Sequence, residues 1–176
     1  MDAAEVLRVV RHLGAAGVEA GITGGWGIDA LLGRQTRAHG DLDLGIDAAR
    51  LDGAISALRE LGYEVVADQR QARVELAAER GRVDLHPIAW EPDGSGVQTG
   101  FDGERFVYPA GSLSASGLIA GEPVRCGTPE LQLAFHSHYE PREHDRLDMA
   151  ALADRFGLTL PPAYADRPEP GTRAGR

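Results

Sequence analysis

Hydrophobic residues recur every three or four positions in several segments of this chain, which is the spacing of a helix with one buried face. The segments with helical spacing are 2–16, 48–61, 128–139 and 143–156. Elsewhere apolar and polar residues alternate, which is typical of a strand with one buried face. The alternating segments are 41–46, 73–77 and 82–88. A short polar turn joins the last two, so they predict a hairpin.

Shorter apolar segments fill the intervals between these elements. They predict a short helix at 26–32. They also predict strands at 20–23, 63–66, 106–108 and 124–126, of which the last is expected to be an edge strand. Glycines and acids without periodicity predict a loop at 91–103. The pattern of residues 112–121 is too weak to predict an element.

The order of these elements predicts the fold class. Strands and helices interleave in the first half of the chain, and helices dominate the second half. This order predicts an α/β (α+β) fold with a mixed sheet, flanking helices and a helical C-terminal part. The predicted division is a core at 1–110, a helical part packed on it at 111–160, and a disordered tail at 161–176. Four prolines, several charges and few apolar residues support the tail prediction.

Two aspartates, Asp41 and Asp43, lie in the alternating segment 41–46. Side chains two apart on a strand share a face, so both carboxylates leave the strand together, with Cα atoms roughly 6.5 Å apart. Two neighbouring carboxylates repel each other unless a cation lies between them, and Mg²⁺ prefers such oxygen ligands. The alternative is a solvated strand face that carries two unrelated acids.

A glycine pair, Gly24-Gly25, follows the short strand at 20–23 and precedes the helix at 26–32. A glycine turn before a helix start directs backbone N–H groups at a phosphate. The alternative is a tight turn that needs a positive φ. The chain has no lysine, which excludes a Walker loop, so Arg37 and His39 are the candidate cations for phosphates, unless they are ordinary surface residues.

A third acid, Asp84, lies in the second arm of the predicted hairpin. Val83 and Leu85 face the core there, so Asp84 and His86 share the other face. Asp84 is therefore a candidate third carboxylate, although an exposed strand acid is the alternative. His86 is a candidate for orienting the substrate or the neighbouring acids, or a packed, hydrogen-bonded histidine.

Composition narrows the classes of function. The 176 residues carry a net charge of −9, with an isoelectric point near 5.1. This charge argues against a nucleic-acid partner and suits a small cationic acceptor, unless it serves solubility alone. A single cysteine excludes an internal disulfide and a cysteine-cluster metal site. No apolar stretch reaches the length of about 18 residues that a membrane span needs, so the expected location is the cytoplasm, with no membrane partner.

Together these motifs resemble a known family. The sequence Gly-Gly-Trp-Gly-Ile-Asp at 24–29, followed by Arg37-x-His39 and Asp41-x-Asp43, resembles the lincosamide nucleotidyltransferases of the DNA polymerase β-like superfamily most, and the aminoglycoside 2''-nucleotidyltransferases next. Further matching segments are 83–88, Cys126, 131–139 and 144–148. The resemblance extends from about residue 3 to residue 156.

The resemblance implies a polymerase β-like nucleotidyltransferase fold and a Mg²⁺-dependent transfer of a nucleoside monophosphate to an antibiotic hydroxyl. The expected donor is ATP, or another nucleoside triphosphate, and the expected acceptor is a lincosamide. Asp41, Asp43 and Asp84 would bind one or two Mg²⁺ ions, with Asp84 also the candidate general base. The implied nucleotide-binding residues are Gly24, Gly25, Trp26, Arg37 and His39.

The acceptor site is less well defined by the sequence. An aromatic wall with a few polar groups suits a drug-sized ligand. The candidate acceptor-binding residues are Glu75, His86, Trp90, His136 and Tyr139, each with a purely structural role as the alternative. An aminoglycoside acceptor, or a non-catalytic nucleotide-binding protein of the same fold, remains an alternative function. Monomer and homodimer are both compatible with the sequence.

Overall fold

The computed structural model describes residues 1–137 and 139–164. Its α-helices are α1 (Ala3–Ala15), α2 (Gly24–Leu32), α3 (Leu51–Glu60), α4 (Pro129–His136) and α5 (Glu143–Phe156). Its strands are β1 (Ala20–Thr23), β2 (Asp41–Asp47), β3 (Glu64–Gln69), β4 (Arg73–Ala78), β5 (Gly81–Trp90), β6 (Gly96–Thr99), β7 (Arg105–Tyr108), β8 (Ala115–Ile119) and β9 (Glu122–Cys126). Short 3-10 turns lie at Ala48–Arg50 and Pro162–Tyr164.

Local signals in the sequence determine where the helices begin. Asp2 caps α1 by accepting a hydrogen bond from the backbone N–H of Glu5. Thr128 caps α4 in the same way, and Pro129 occupies the first helical position, where its missing N–H costs no hydrogen bond. A residue with positive φ, Gly33 or Gly157, follows the last turn of α2 and α5.

The strands form a mixed sheet in the order β3-β4-β5-β2-β1-β9-β8. Strand β2 runs parallel to β5, and β1 runs parallel to β9, whereas the other neighbours in this order are antiparallel. Beyond its contact with β2, strand β5 continues into a β6–β7 ribbon. The predicted α/β fold with a mixed sheet is confirmed.

The register between β2 and β5 places the two acidic segments side by side. Asp43 lies opposite Asp84 across the parallel pair. Their apolar neighbours on both strands are completely buried in the main core. The alternation predicted for both segments is therefore present, with the acids on the face opposite that core.

The second half of the chain contributes more to the sheet than predicted. Strand β6 lies within the predicted loop at 91–103, and β8 lies within the segment that had no predicted element. Strand β9 is not an edge strand, because it lies between β1 and β8. The predicted boundary at residue 110 is wrong for the same reason, since the sheet continues to Cys126.

The prediction of disorder at 161–176 is wrong for its first residues. Tyr164 is 4 % exposed and packs in a small core with Ile28, Met149 and Leu152. Its hydroxyl donates a hydrogen bond of 2.7 Å to the backbone carbonyl of His136. The remaining positions, 165–176, lie outside the described residues. Within the described part of the chain, no helix combines the length and the apolar character that a bilayer crossing needs.

Tyr164 is expected to stabilise the fold through its ring more than through its hydroxyl. Tyr164→Ala should lower the free energy of unfolding by about 3–5 kcal/mol, the range for buried aromatic rings. Tyr164→Phe should lower it by only about 1 kcal/mol, the value of one hydrogen bond. Urea titration followed by circular dichroism measures both. The exposed Leu147 of the same region supplies the control, and a Tyr164→Ala effect no larger than that of Leu147→Ala would contradict this packing role.

Candidate active site

The site is organised around two carboxylates and one imidazole. One oxygen of Asp43, one oxygen of Asp84 and one ring nitrogen of His86 lie within 4.8 Å of one another. Asp43 projects from β2, and the other two project from β5. Two carboxylate oxygens at this separation suit a hard divalent ion such as Mg²⁺. His86 already bonds to Asp43, so its arrangement suits a role in orienting that ligand.

Asp41 does not join this group. It lies at the exposed start of β2, opposite Arg82, two residues before Asp43. Within residues 1–137 and 139–164, the cluster consists of Asp43, Asp84 and His86. The predicted convergence of acids is therefore present for one pair, whereas the structure leaves the third predicted acid outside it. Asp84 lies directly across from Asp43, and Asp41 is two residues earlier along β2, so it lies across from Arg82 instead.

Different surroundings give the two clustered acids different pKa values. Burial, and then the negative charge of Asp43, raise the pKa of Asp84 to about 6, against the opposing effect of Arg73. Burial also acts to raise the pKa of Asp43. There, however, the hydrogen bond with His86 and the nearby positive charges outweigh burial and hold the pKa below its usual value. Asp43 is thus kept ionised, whereas the pKa of Asp84 lies close to neutral pH.

A chain of hydrogen bonds fixes the orientation of His86. The Tyr108 hydroxyl donates to Gln98 Oε1 at 2.6 Å. Gln98 Nε2 lies 2.8 Å from the Ala72 carbonyl and 3.0 Å from His86 Nδ1, so it donates to both. His86 Nδ1 is then an acceptor, which leaves its Nε2–H to donate to Asp43 Oδ1 at 3.0 Å. Sequence patterns did not single out Gln98 or Tyr108, because they come from the β6–β7 ribbon.

The glycine pair is required by the closeness of its neighbours. Gly24 and Gly25 are the first two residues of α2, and Gly24 has a φ of +60°. A Cβ atom on Gly24 would lie 2.2 Å from Asp43 Oδ2, and one on Gly25 would lie 2.4 Å from His39 Nδ1. The absence of side chains therefore brings the N-terminus of α2 against Asp43. Backbone N–H groups at a helix N-terminus can bind phosphate.

The predicted nucleotide-binding residues divide into two groups. Arg37 lines the cavity beside the glycines, held by Asp148 of α5, with 2.8 Å between Nη2 and Oδ2. Trp26 and His39 do not line this cavity. His39 is buried, with its Nε2 2.5 Å from Asp29 Oδ2 and its ring 4.8 Å from that of Trp26. The His39 ring lies next to Gly25 and the Trp26 ring lies next to His39, so the two rings pack behind the glycine turn and outside the cavity, where the predicted direct contact with nucleotide is not supported.

A cavity of about 530 Å³ opens in front of the glycine pair and Asp43. Aromatic side chains form much of its wall: Phe101, Phe106, Tyr108, Phe135 and Tyr139. Charged side chains complete the lining, with the acids Asp43, Asp102, Glu104 and Asp145 and the arginines Arg37 and Arg73. Of the predicted acceptor-binding residues, His86, His136 and Tyr139 line the cavity.

The other two predicted acceptor-binding residues lie elsewhere. Glu75 pairs with two arginines of the hairpin strands. Its Oε1 lies 2.6 Å from Arg82 Nη1, and its Oε2 lies 3.4 Å from Arg73 Nη2. Trp90 lies where β5 has left β2 and pairs with β6 instead, so it faces a separate cavity of about 350 Å³. Alternation along β5 predicted the face of His86, but the change of sheet partner moved Trp90 away.

The fold is that of a nucleotidyltransferase, and it places acids on adjacent parallel strands beside a glycine-led helix. The family model of the aminoglycoside-2''-adenylyltransferases matches residues 5–152. The chain belongs to this family, and the predicted membership among the antibiotic nucleotidyltransferases is confirmed.

Similar proteins agree with this assignment. A lincosamide resistance protein of Staphylococcus haemolyticus is 35 % identical over 132 residues, which cover 74 % of this chain and 81 % of the relative. A 2''-aminoglycoside nucleotidyltransferase of Escherichia coli is 32 % identical over 146 residues, 79 % of this chain and 76 % of the relative. The crystal structure of the lincosamide antibiotic adenylyltransferase LnuA, lincomycin-bound, matches with a TM-score of 0.76 and 31 % identity. That match covers 86 % of this chain and 96 % of LnuA.

The raised pKa of Asp84 predicts how stability depends on pH. Its pKa of about 6 in the fold exceeds the ordinary aspartate value of 3.8. The folded protein therefore holds this proton more tightly than the unfolded chain, and the resulting stabilisation is lost as pH rises through about 6. Between about pH 4.5 and 7.5, the free energy of unfolding of the metal-free protein should fall by on the order of 1–3 kcal/mol more than that of the Asp84→Asn variant. Urea titrations in the presence of a chelator measure this difference, and parallel profiles for the two proteins would contradict it.

Proposed function

We propose that this protein transfers AMP from ATP to a hydroxyl group of a lincosamide antibiotic. The observation that carries the proposal is the juxtaposition of Asp43 and Asp84 with a glycine-led helix at the mouth of a drug-sized cavity. Acids of this kind serve phosphoryl transfer by binding divalent ions, and a helix N-terminus binds the phosphates.

Asp43 and Asp84 would hold Mg²⁺, and Asp41 is the proposed additional ligand. Within the described residues, the side chain of Asp41 has no hydrogen bond or ion pair, and Asp41 lies on the same strand as Asp43. The two clustered carboxylates fit such an ion because each faces the other across less than 4.8 Å. Bound there, one or two Mg²⁺ ions would neutralise the triphosphate oxygens and favour ionisation of the acceptor hydroxyl.

The protein's own groups would position the reactants. The N–H groups at Gly24 and Gly25 and the guanidinium of Arg37 would bind the phosphates. Asp84 would accept the proton of the acceptor hydroxyl, the oxygen would form a bond to the α-phosphorus, and the bond to pyrophosphate would break. In the metal-free protein, burial raises the pKa of Asp84 to about 6, so this carboxylate is already ionised at neutral pH. His86 would keep Asp43 in place through its hydrogen bond.

The cavity and the relatives both support a lincosamide acceptor. The phenylalanine and tyrosine rings of the cavity wall suit an apolar portion of the ligand. Asp102, Glu104 and Asp145, which also line the cavity, suit a cationic portion. The Staphylococcus haemolyticus relative and LnuA carry lincosamide names. An aminoglycoside acceptor is the second candidate, favoured by the family model and the Escherichia coli relative.

A panel reaction distinguishes these acceptors. The purified protein is incubated with Mg²⁺, each of ATP, GTP, CTP and UTP, and single lincosamides or aminoglycosides. We expect lincomycin or clindamycin to gain the mass of one adenylyl group, with release of pyrophosphate. Modification of aminoglycosides alone would transfer the proposal to the second candidate. Release of pyrophosphate while no lincosamide or aminoglycoside gains mass would contradict the proposed function, and so would the absence of any release.

Asp84 is expected to be essential for turnover. Asp84→Asn keeps the size of the side chain but cannot accept the proton, so kcat should fall by about 10²–10⁴-fold. The matched control is Asp154→Asn, since Asp154 is an exposed acid of α5 that does not line the cavity. Steady-state kinetics of pyrophosphate release measure both variants. Near-normal turnover by Asp84→Asn would remove the assignment of Asp84 as the base.

A further inference from the structure

Arg73 lines the cavity beside the acid pair. Its Nη1 donates a hydrogen bond of 2.7 Å to Asp84 Oδ2, and its Nη2 lies 3.4 Å from Glu75. The guanidinium carbon is 5.5 Å from the ring centroid of Phe101, on the cavity wall. About one third of the Arg73 side chain is exposed, whereas the side chain of Asp84 is 6 % exposed.

We propose that Arg73 is an internal counter-cation of Asp84 that competes with the divalent ion for this carboxylate, so that metal binding releases the arginine. This inference rests on the proposed metal-dependent function. It adds a residue to that function, since Arg73 belongs to none of the groups assigned above to phosphate, proton or acceptor.

Each acid of the pair has a separate protein donor. Asp43 accepts from His86, and Asp84 accepts from Arg73. A buried carboxylate needs a positive partner, and arginine keeps its charge at every relevant pH. A divalent ion at the same oxygen would take over that role and would repel the guanidinium across a few ångströms. Ion and arginine therefore exclude each other at Asp84 Oδ2.

The surroundings of Arg73 provide a place for the released guanidinium. Glu75 already lies within ion-pair distance of it, and the Phe101 ring lies against it. Both contacts leave the group beside the cavity, in which the triphosphate would lie. A released Arg73 would therefore remain close enough to contribute its charge to the bound phosphates.

Arg82 supplies a matched control for charge. It lies on the neighbouring strand β5 and bonds to Glu75 Oε1 at 2.6 Å, without a contact to Asp84 among the described residues. Arg73→Gln and Arg82→Gln therefore remove the same charge from adjacent strands, but only the first frees the Asp84 carboxylate. A general effect of net charge would change both variants equally.

The test measures metal binding without nucleotide or acceptor. Chelator-treated protein is titrated with Mn²⁺ at neutral pH, and the electron paramagnetic resonance signal of free Mn²⁺ gives the Kd. We expect Arg73→Gln to lower this Kd roughly 5- to 20-fold, because a competing positive charge is removed. Arg82→Gln should stay within about twofold of the unmodified protein, because exposed charges are screened.

A double variant checks that the effect acts through Asp84. In an Asp84→Asn background, Arg73→Gln should change the Kd for Mn²⁺ by less than about twofold, because the shared carboxylate is gone. Circular dichroism confirms that each variant is folded. If Arg73→Gln does not fold, Arg73→Lys serves in its place. A lysine cannot reach Asp84 and Glu75 with two separate planar nitrogens as Arg73 does, so the Arg73→Lys variant should also bind Mn²⁺ more tightly than the unmodified protein.

The outcomes separate this inference from the proposed function. If the folded Arg73 variant binds Mn²⁺ no more tightly than the unmodified protein, the role of Arg73 is overturned and the proposed function is not. An equal gain in Arg82→Gln, or a gain that persists in the Asp84→Asn background, also overturns it. Failure of the unmodified protein and of every variant to bind Mn²⁺ overturns the metal site, and with it both proposals.

Discussion

The site depends on the parallel pairing of β2 with β5 in one register. That register sets Asp43 opposite Asp84 and turns the apolar neighbours of both acids into the core. A slip of one residue would reverse the faces, bury the acids and expose leucine and valine. The cost of burying two charges and exposing the core therefore maintains the register. The geometry of the acids is thus a consequence of how the hydrophobic core packs.

Other elements reach this pair from distant parts of the chain. The hairpin partner β4 brings Arg73 to Asp84, and the β6–β7 ribbon brings Gln98 and Tyr108 to His86. Helix α5 holds Arg37 through Asp148. Arg37 and His86 are thus each held by a group from another element. Such support fixes the side-chain orientations that a phosphoryl-transfer site needs.

Local patterns in the sequence predicted the parts of the site that local structure determines. Alternation placed Asp43 and Asp84 on the polar faces of their strands, and the glycine pair marked the start of α2. Residues positioned by long-range pairing were not predictable in this way. The burial of His39 depends on Asp29 across a loop, and the place of β9 inside the sheet depends on β1. Arg73 was detectable in principle, since it shares the face of Glu75, which lies opposite Asp84 in the hairpin.

The β6–β7 ribbon has a consequence for how this scaffold can diversify. It branches from the far end of β5, beyond the segment that pairs with β2, and it carries Phe106 and Tyr108 into the cavity wall. An exchange of Phe106 would remodel the wall without changing the pairing of β2 with β5, whereas Tyr108 also supports His86 through Gln98. The shape of the ligand cavity can therefore change through one appended ribbon while the strands that carry the acids keep their register.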